Sequence, residues 1–360
     1  MTRRAIALLG RKDEPTDAVE EYCRYLSDAL QPHDIQLKIR RVPWDTRGWS
    51  EALRGLRLQA AVWRGTWVLV QYTALAWSER GFPQKFLRPL KILKAAGARV
   101  AVVFHDVEPY PGMRMVDAFR RAIQVRTMRR ALKVADLAVF TIPAEKISWR
   151  PAVDAHVTFV PVGPNLPIPA EPPARPARIV VPTIGVFSIT GGEAGARETE
   201  IILQSVRHAA QQLGRLRLSV FGRHAELREQ DLRNALRDLP VELTVEGVLT
   251  PAEVVERLTA CDVLLFVRGA ISSRRGSALA GIACGVPVIA FAGSETAQPI
   301  TEAGVVLVSP IVPDGLPNAL TRVLSDPELR VSLRLKNSTV YAEHFSWQAI
   351  ATRFAALLQR

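Results

Sequence analysis

The sequence predicts an α/β protein made of two doubly wound, Rossmann-like domains, and three observations carry that prediction. Apolar strand-like runs alternate with helix-period segments through the first 150 residues. A stretch from Pro161 to Pro182 then holds eight prolines, too many for regular structure, and reads as a stiff extended linker. Beyond it the same alternation restarts. The expected organisation is an N-terminal domain over 1–165, a linker over 166–182, a C-terminal domain over 183–340 and a closing helix within 341–360.

The first half opens with the apolar run Ala5–Leu9, followed by Gly10 and a helix over Asp17–Leu30 in which Val19, Tyr22, Leu26 and Leu30 recur at helical spacing. Ile35–Val42 alternates as a strand, and Ala60–Trp63 and Val68–Gln71 are short strand candidates. Phe82–Ala96 reads as a helix ending near Gly97, Arg99–Phe104 as a buried strand running into His105 and Asp106, Met115–Ala135 as a helix, and Leu137–Thr141 as a strand. In the second half, strands are expected at Ile184–Ile189, Leu216–Phe221, Val241–Val245, Val263–Val267, Val286–Phe291 and Val305–Val308. Helices are expected over Glu198–Leu213, Ala225–Leu236, Pro251–Thr259, Ala278–Cys284, Leu316–Leu324 and Trp347–Leu358. Such alternation implies parallel sheets covered on both faces.

Composition narrows the class. Hydrophobic residues make up 48% of the chain and charged residues 23%, an ordinary globular balance. No apolar run reaches the roughly 18 residues needed to cross a bilayer, and Ala5–Leu9 is too short for a signal peptide. Cys23, Cys261 and Cys284 fit no zinc spacing and read as small core residues in a reducing cytoplasm. The net charge of +12 is unevenly placed: residues 1–150 carry 27 Lys and Arg against 15 Asp and Glu, while residues 151–360 are balanced at 20 each. The excess points the N-terminal half toward an anionic partner. The basic segment Arg114–Lys133, with Met115, Phe119, Ile123 and Met128, reads either as a membrane-surface helix or as an outer helix with a solvated face. A nucleic-acid role has no accompanying motif.

The stretch Cys261–Phe291 concentrates the chemistry. A buried strand leads into the loop Ser272-Ser273-Arg274-Arg275-Gly276-Ser277, which opens a short helix closed by Gly285 and Pro287. A loop at a helix N-terminus offers free N–H groups and positive dipole to an anion, and two arginines reinforce the offer, although both side chains are equally readable as solvated. Gly222 and Arg223 follow another strand, where glycine allows close backbone approach to a ligand and a plain turn is the alternative. His105 and Asp106 sit at a strand's carboxyl end, the edge on which such sheets bind ligands. Trp63, Trp67, Tyr72 and Trp77 read as core before they read as an acceptor wall.

Ala283-Cys284-Gly285-Val286-Pro287-Val288-Ile289-Ala290 resembles the A-C-G-x-P-V-I-A block of retaining, family-4-type glycosyltransferases of the GT-B fold. Cys261-Asp262-Val263, Leu218-Ser219-Val220-Phe221-Gly222, Val245-Glu246-Gly247 and Phe345-Ser346-Trp347 resemble further blocks of the same family, in order over about 184–360. The first half is similar only at Gly10, at His105-Asp106 and at Val160-Pro161-Val162-Gly163. The resemblance implies two doubly wound domains facing across a cleft and a nucleotide-diphosphate sugar held by the second. The implied partner is a lipid-linked or polysaccharide acceptor, and the basic N-terminal half adds an anionic membrane surface. The implied chemistry is hexosyl transfer with retention, without metal or other cofactor, in a cytoplasmic protein peripheral to the inner membrane. Two positive side chains would meet the diphosphate, and His105 the donor sugar; Asp106 and Glu108 read, from the residues, either as polarising an acceptor hydroxyl or as ordinary exposed loop carboxylates.

This chain departs from the family at its paired glutamates, whose positions are held by Ser272 and Ala280. The family lysine is matched by Arg197, after an apparent insertion over Gly191–Gly195. The expected donor-binding set is therefore Gly10, Arg197, Gly222, Arg223, Ser272 to Ser277 with both loop arginines, and Glu295, with Glu302 as a second candidate for a ribose contact. Loss of both glutamates supports, as the alternative, a non-catalytic protein that binds a nucleotide-sugar or a partner. A sugar-nucleotide epimerase, which needs no acceptor, leaves the basic N-terminal half without a reason.

Overall fold

A computed structural model describes residues 2–14, 16–149, 151, 156–169 and 181–359. The expected linker therefore lies, over 170–180, outside the described residues. The chain divides into two compact units, one formed by Met1–Val162 with Trp347–Arg360 and the other by Gly163–Ser346.

The first unit runs β1 (Arg3–Leu9), α1 (Ala18–Leu30), β2 (Ile35–Arg41), α2 (Trp44–Ala60), β3 (Trp67–Tyr72), α3 (Leu87–Ala95), β4 (Arg99–Phe104), α4 (Met115–Val134), β5 (Leu137–Phe140) and β6 (Val157–Phe159). Its six strands pair in parallel in the order β2-β1-β3-β4-β5-β6. The order reverses direction between β1 and β3. β3 is buried along its whole length and β4 along all but its first residue, which is why their sequences, WVLVQY and RVAVVF, are mainly apolar rather than alternating. Asp17 caps α1 by accepting from the Val19 and Glu20 amides, so the helix starts where an acidic N-cap satisfies its orphan donors.

The second unit runs β7 (Thr183–Phe187), α5 (Gly192–Leu213), β8 (Leu216–Phe221), α6 (Glu229–Leu236), β9 (Val241–Glu246), α7 (Pro251–Ala260), β10 (Val263–Ala270), α8 (Gly276–Ala283), β11 (Val288–Phe291), β12 (Val305–Val308), α9 (Gly315–Ser325) and α10 (Pro327–Val340). Its sheet is parallel in the order β12-β11-β10-β7-β8-β9, reversing between β7 and β10. Thr250 and Glu253 form a capping box at the start of α7, with Pro251 in the first turn.

The chain then returns to the first unit as α11 (Trp347–Gln359). Trp347 stacks on Tyr25 with ring centroids 5.4 Å apart and meets Tyr22 edge-on at 5.2 Å. With Ile350, Ala351, Phe354 and Leu358 it completes a core layer that includes Ala5, Ala7, Tyr22, Cys23 and Leu26. Each large apolar side chain buried there contributes about 1.5–3 kcal/mol.

Several expectations are corrected. Ala60–Trp63 is the end of α2 and a turn, not a strand. The helix before it is hidden in the sequence because Gly48 breaks it near its start at φ 72°, ψ 157° and Pro43 provides no side-chain cap. α5 begins at Gly192 rather than Glu198, so the apparent insertion is mostly its first turn. In α4, Ile123 and Met128 face the core, whereas Met115 and Phe119 are exposed together with Met113. Trp63, Trp67, Tyr72 and Trp77, read as core, are all buried in core layers. No described helix is long and apolar enough to cross a membrane.

Candidate functional site

The second sheet places the best-formed candidate. Ligands in open parallel sheets bind beyond the carboxyl ends of the strands where strand order reverses, here β7 and β10. α5 starts just after β7 and α8 just after β10, and neither N-terminus is closed by a side-chain cap hydrogen bond. Two helix dipoles thus present their positive ends at adjacent strand termini.

Around them gather charges from five segments. Arg223 follows β8, Arg268 lies in the last turn of β10, Arg274 and Arg275 form the loop before α8, and Glu198 and Glu295 come from α5 and from beyond β11. Glu295 takes Arg274 in a two-pronged pair, Nε to Oε2 at 2.8 Å and Nη2 to Oε1 at 2.5 Å. Ser272 Oγ donates to the same Oε2 at 3.0 Å. Burial alone would raise the Glu295 pKa, but these bonds and the Arg274 charge hold it below the ordinary carboxylate value. Glu198 is buried and accepts the Thr190 amide at 2.7 Å, which fixes the loop between β7 and α5.

Arg275 and Arg268 are held differently. The Nε–H of each is buried and has no hydrogen-bond partner among the described residues. For Arg275, burial and then the neighbouring Arg274 push the pKa down, with Glu295 and Glu198 opposing and Arg268 adding to the fall. For Arg268, burial lowers it, Glu198 opposes, and Arg223 lowers it further. Four guanidiniums against two carboxylates leave a formal +2 at the reversal point. An oxyanion arriving there meets guanidiniums already partly desolvated, so a charge-assisted bond strips less water from the cation than at a solvated arginine.

Backbone geometry supports the same place. Ser188, at the end of β7, has φ 67°, a conformation that costs a non-glycine residue about 1–3 kcal/mol. Its amide donates to Phe221 O at 2.7 Å. Gly222 sits at φ 95°, and a Cβ there would lie 2.7 Å from Ser188 Oγ, so only glycine lets the ends of β7 and β8 close together.

The other expected residues fall as follows. Ser273 is buried beside Ser272, while Gly276 and Ser277 form the first turn of α8. Ala280 is buried in α8. Arg197 is exposed on α5 with a loose 3.9 Å pairing to Glu193, and Glu302 is exposed.

In the first unit, His105 follows β4. Its Nε2 lies 2.8 Å from Gln71 Oε1 and its ring meets Tyr22 edge-on at 4.9 Å. Enclosure pushes its pKa down to about 4, against which the Asp17 charge acts weakly, so the imidazole is neutral at pH 7. Asp106 Oδ2 accepts the Ala74 amide at 2.7 Å, and Glu108 binds the Ser148 amide and hydroxyl, so both carboxylates hold loops. Gly10 is needed for packing: a Cβ would lie 2.2 Å from Ala76 O, which also accepts the Arg11 amide at 2.8 Å.

Arg268 and Glu198 were not among the expected site residues. A lone arginine closing the apolar run VLLFVRGA was the available signal for the first, since a cation at a strand's carboxyl end is misplaced for core packing. Glu198 carried none, as a glutamate in a helix is ordinarily solvated.

No family model and no curated protein sequence matches the chain. Solved structures do. Sucrose-phosphate synthase from Thermosynechococcus elongatus is similar at a TM-score of 0.71 and 16% identity, over 99% of this chain and 98% of that one. HepE from Anabaena, in complex with UDP and glucose, is similar at 0.67 and 14%, over 99% of both chains. A glycosyltransferase from Rickettsia africae gives 0.67 and 12%, over 99% and 98%. With two six-stranded parallel sheets flanked by helices, the chain has the two-domain Rossmann-like fold of the GT-B glycosyltransferases.

Proposed function

We propose that the protein is a glycosyltransferase that holds a nucleoside-diphosphate sugar at the reversal point of its second sheet. The observation that carries this reading is the pair of half-buried arginines, Arg268 and Arg275, whose buried Nε–H groups meet no partner among the described residues. HepE, at 14% identity, was solved with UDP and glucose, which supports a UDP-sugar as the donor. In the transfer, the bond between the anomeric carbon and the β-phosphate oxygen breaks and its electron pair leaves with the nucleoside diphosphate. A new bond forms to the acceptor oxygen, whose proton is released. Arg268, Arg275 and the two helix N-termini stabilise the charge growing on the leaving diphosphate, which makes the step metal-independent in this reading. Glu295, held by Arg274 and Ser272, brings a carboxylate to the position where the resembling family has its first glutamate, and it accepts from a sugar or ribose hydroxyl.

His105, neutral at pH 7, meets the donor sugar, and the outcome is retention. The acceptor is lipid-linked or a polysaccharide. An anionic membrane surface is engaged through the basic N-terminal unit, where Met113, Met115 and Phe119 stand exposed beside arginines. Substitution of both family glutamates, by Ser272 and Ala280, favours a second reading: the same site binds a nucleotide-sugar without turnover.

Titration calorimetry with UDP, GDP and their sugars, followed by release of nucleoside diphosphate with acceptor present, tests both. Binding of a nucleoside diphosphate with turnover upholds the first reading, and binding without turnover the second. Absence of binding by every nucleotide overturns both.

A further inference from the structure

The first unit carries a second cationic site that the proposed transfer does not use. At the amino ends of β1, β3 and β4, the opposite edge of the sheet from His105, lies a recess of about 500 Å³. Arg3, Arg4, Arg64 and Arg99 line it with Trp67 and Leu358, and no Asp or Glu is among its lining residues. Charge of one sign around a concave, low-dielectric surface focuses the field outward and draws counter-ions.

Two details separate this from a chance cluster of solvated arginines. Arg99 lies over the Trp67 ring at 4.1 Å, which fixes the guanidinium plane while leaving its in-plane N–H donors free for an oxyanion. Arg64 runs across Gly97, a glycine at φ 75°, where a Cβ would lie 3.2 Å from the arginine's Cγ. The arginines are also more than the fold requires. The carbonyl at the end of α11, Leu358 O, already accepts Trp67 Nε1 at 3.0 Å, and Arg3 Nη1 reaches it only at 3.5 Å. The partial negative charge of one helix end is about half a unit, against four guanidiniums.

We propose that this recess binds a compact anion bearing two or more phosphate groups, either free in solution as a phosphorylated small molecule or carried on a lipid headgroup. Planar guanidinium forks from three strand ends suit phosphate oxygens approached from several sides. The stacked face of Trp67 is taken by Arg99, so recognition rests on phosphate rather than on an aromatic base. The inference stands apart from the donor site and is tested in a background that weakens that site.

The full chain carrying Arg275→Gln is titrated with inorganic pyrophosphate, and by sedimentation with phosphatidylcholine vesicles with and without phosphatidic acid. In this background Arg4→Gln plus Arg64→Gln is expected to weaken the binding it shows at least tenfold, whereas Arg54→Gln plus Arg57→Gln, removing the same charge from α2, leaves it unchanged. Pyrophosphate binding assigns a free anion, and binding only to acidic vesicles assigns a headgroup. Binding of neither probe, or equal loss in the two double variants, overturns the proposal. Should Arg275→Gln bind pyrophosphate as the unmodified chain does, the donor-site reading fails while the recess is still read out by its own variants.

Discussion

Arg274 and Arg275 are neighbours in sequence, yet the structure assigns them opposite energetics, and that contrast yields the sharpest prediction. Arg274 is satisfied: its fork closes on Glu295 at 2.5 and 2.8 Å with both side chains mostly buried. Replacing it by Gln strips a partly buried carboxylate of its main partner, at a cost of about 1–3 kcal/mol in stability. Arg275 is unsatisfied: its Nε–H is buried without an acceptor among the described residues, and Arg274 and Arg268 repel its charge. Arg275→Gln removes that repulsion and is expected to leave stability unchanged or to raise it by up to about 1 kcal/mol. In binding the order inverts. A charge-assisted bond from Arg275 to a diphosphate is worth about 1.5–3 kcal/mol, or roughly 10- to 150-fold in Kd. Urea unfolding and calorimetry with UDP, run on both variants, give the two axes. Equal loss of UDP affinity in both variants, or destabilisation by Arg275→Gln greater than by Arg274→Gln, would refute the assignment of Arg275 as the ligand-facing cation.

Two further predictions rest on packing. His105 has its pKa depressed from 6.5 to about 4, so between those values the unfolded chain binds the extra proton; stability is full above pH 6.5 and falls as the pH drops toward 4, by at most about 3 kcal/mol. Unfolding free energy followed against pH should lose most of that slope in His105→Gln, and an unchanged slope sinks the assignment. Asn337 is fully buried and ties the second unit together, Oδ1 accepting from the Gly304 amide at 2.8 Å and Nδ2 donating to Val286 O at 2.7 Å. Asn337→Ala orphans both groups and should cost about 2–4 kcal/mol in urea unfolding; a cost below 1 kcal/mol contradicts the geometry.

Strands were the legible part of this sequence. Arg99–Phe104, apolar after its first residue because both faces of its sheet are covered, and Leu216–Phe221, in which Leu216, Leu218 and Val220 alternate with Arg217 and Ser219, could both be bounded to the residue. Helices whose buried faces are polar could not. α10 buries Arg330 and Asn337 beside Leu333 and Val340, a pattern that hydrophobic periodicity reads as loop, and it was missed. α4 likewise buries Asp117, Gln124 and Thr127 beside Ile123, Met128 and Leu132. The candidate site divides similarly. Local signals, a polar loop before a short helix and a glycine after a strand, pointed to Ser272–Ser277 and Gly222. Which arginine is neutralised and which is left without an acceptor depends on Glu295 and Glu198, contributed from 20 or more residues along the chain at contacts that only the assembled sheet defines.

The return of α11 to the first unit has a consequence for how the protein is made. Residues 1–162 emerge first during synthesis, but the layer over Tyr22, Cys23 and Leu26 waits for Trp347 and Phe354, with 184 residues of the second unit in between. Until then an apolar face of the first sheet is uncovered, a surface that invites aggregation or chaperone capture. Gly163–Ser346, by contrast, is contiguous and needs nothing later in the chain for its own core. A fragment ending at residue 162 is therefore expected to be insoluble where one spanning 163–346 folds, and adding residues 347–359 in trans should recover the first.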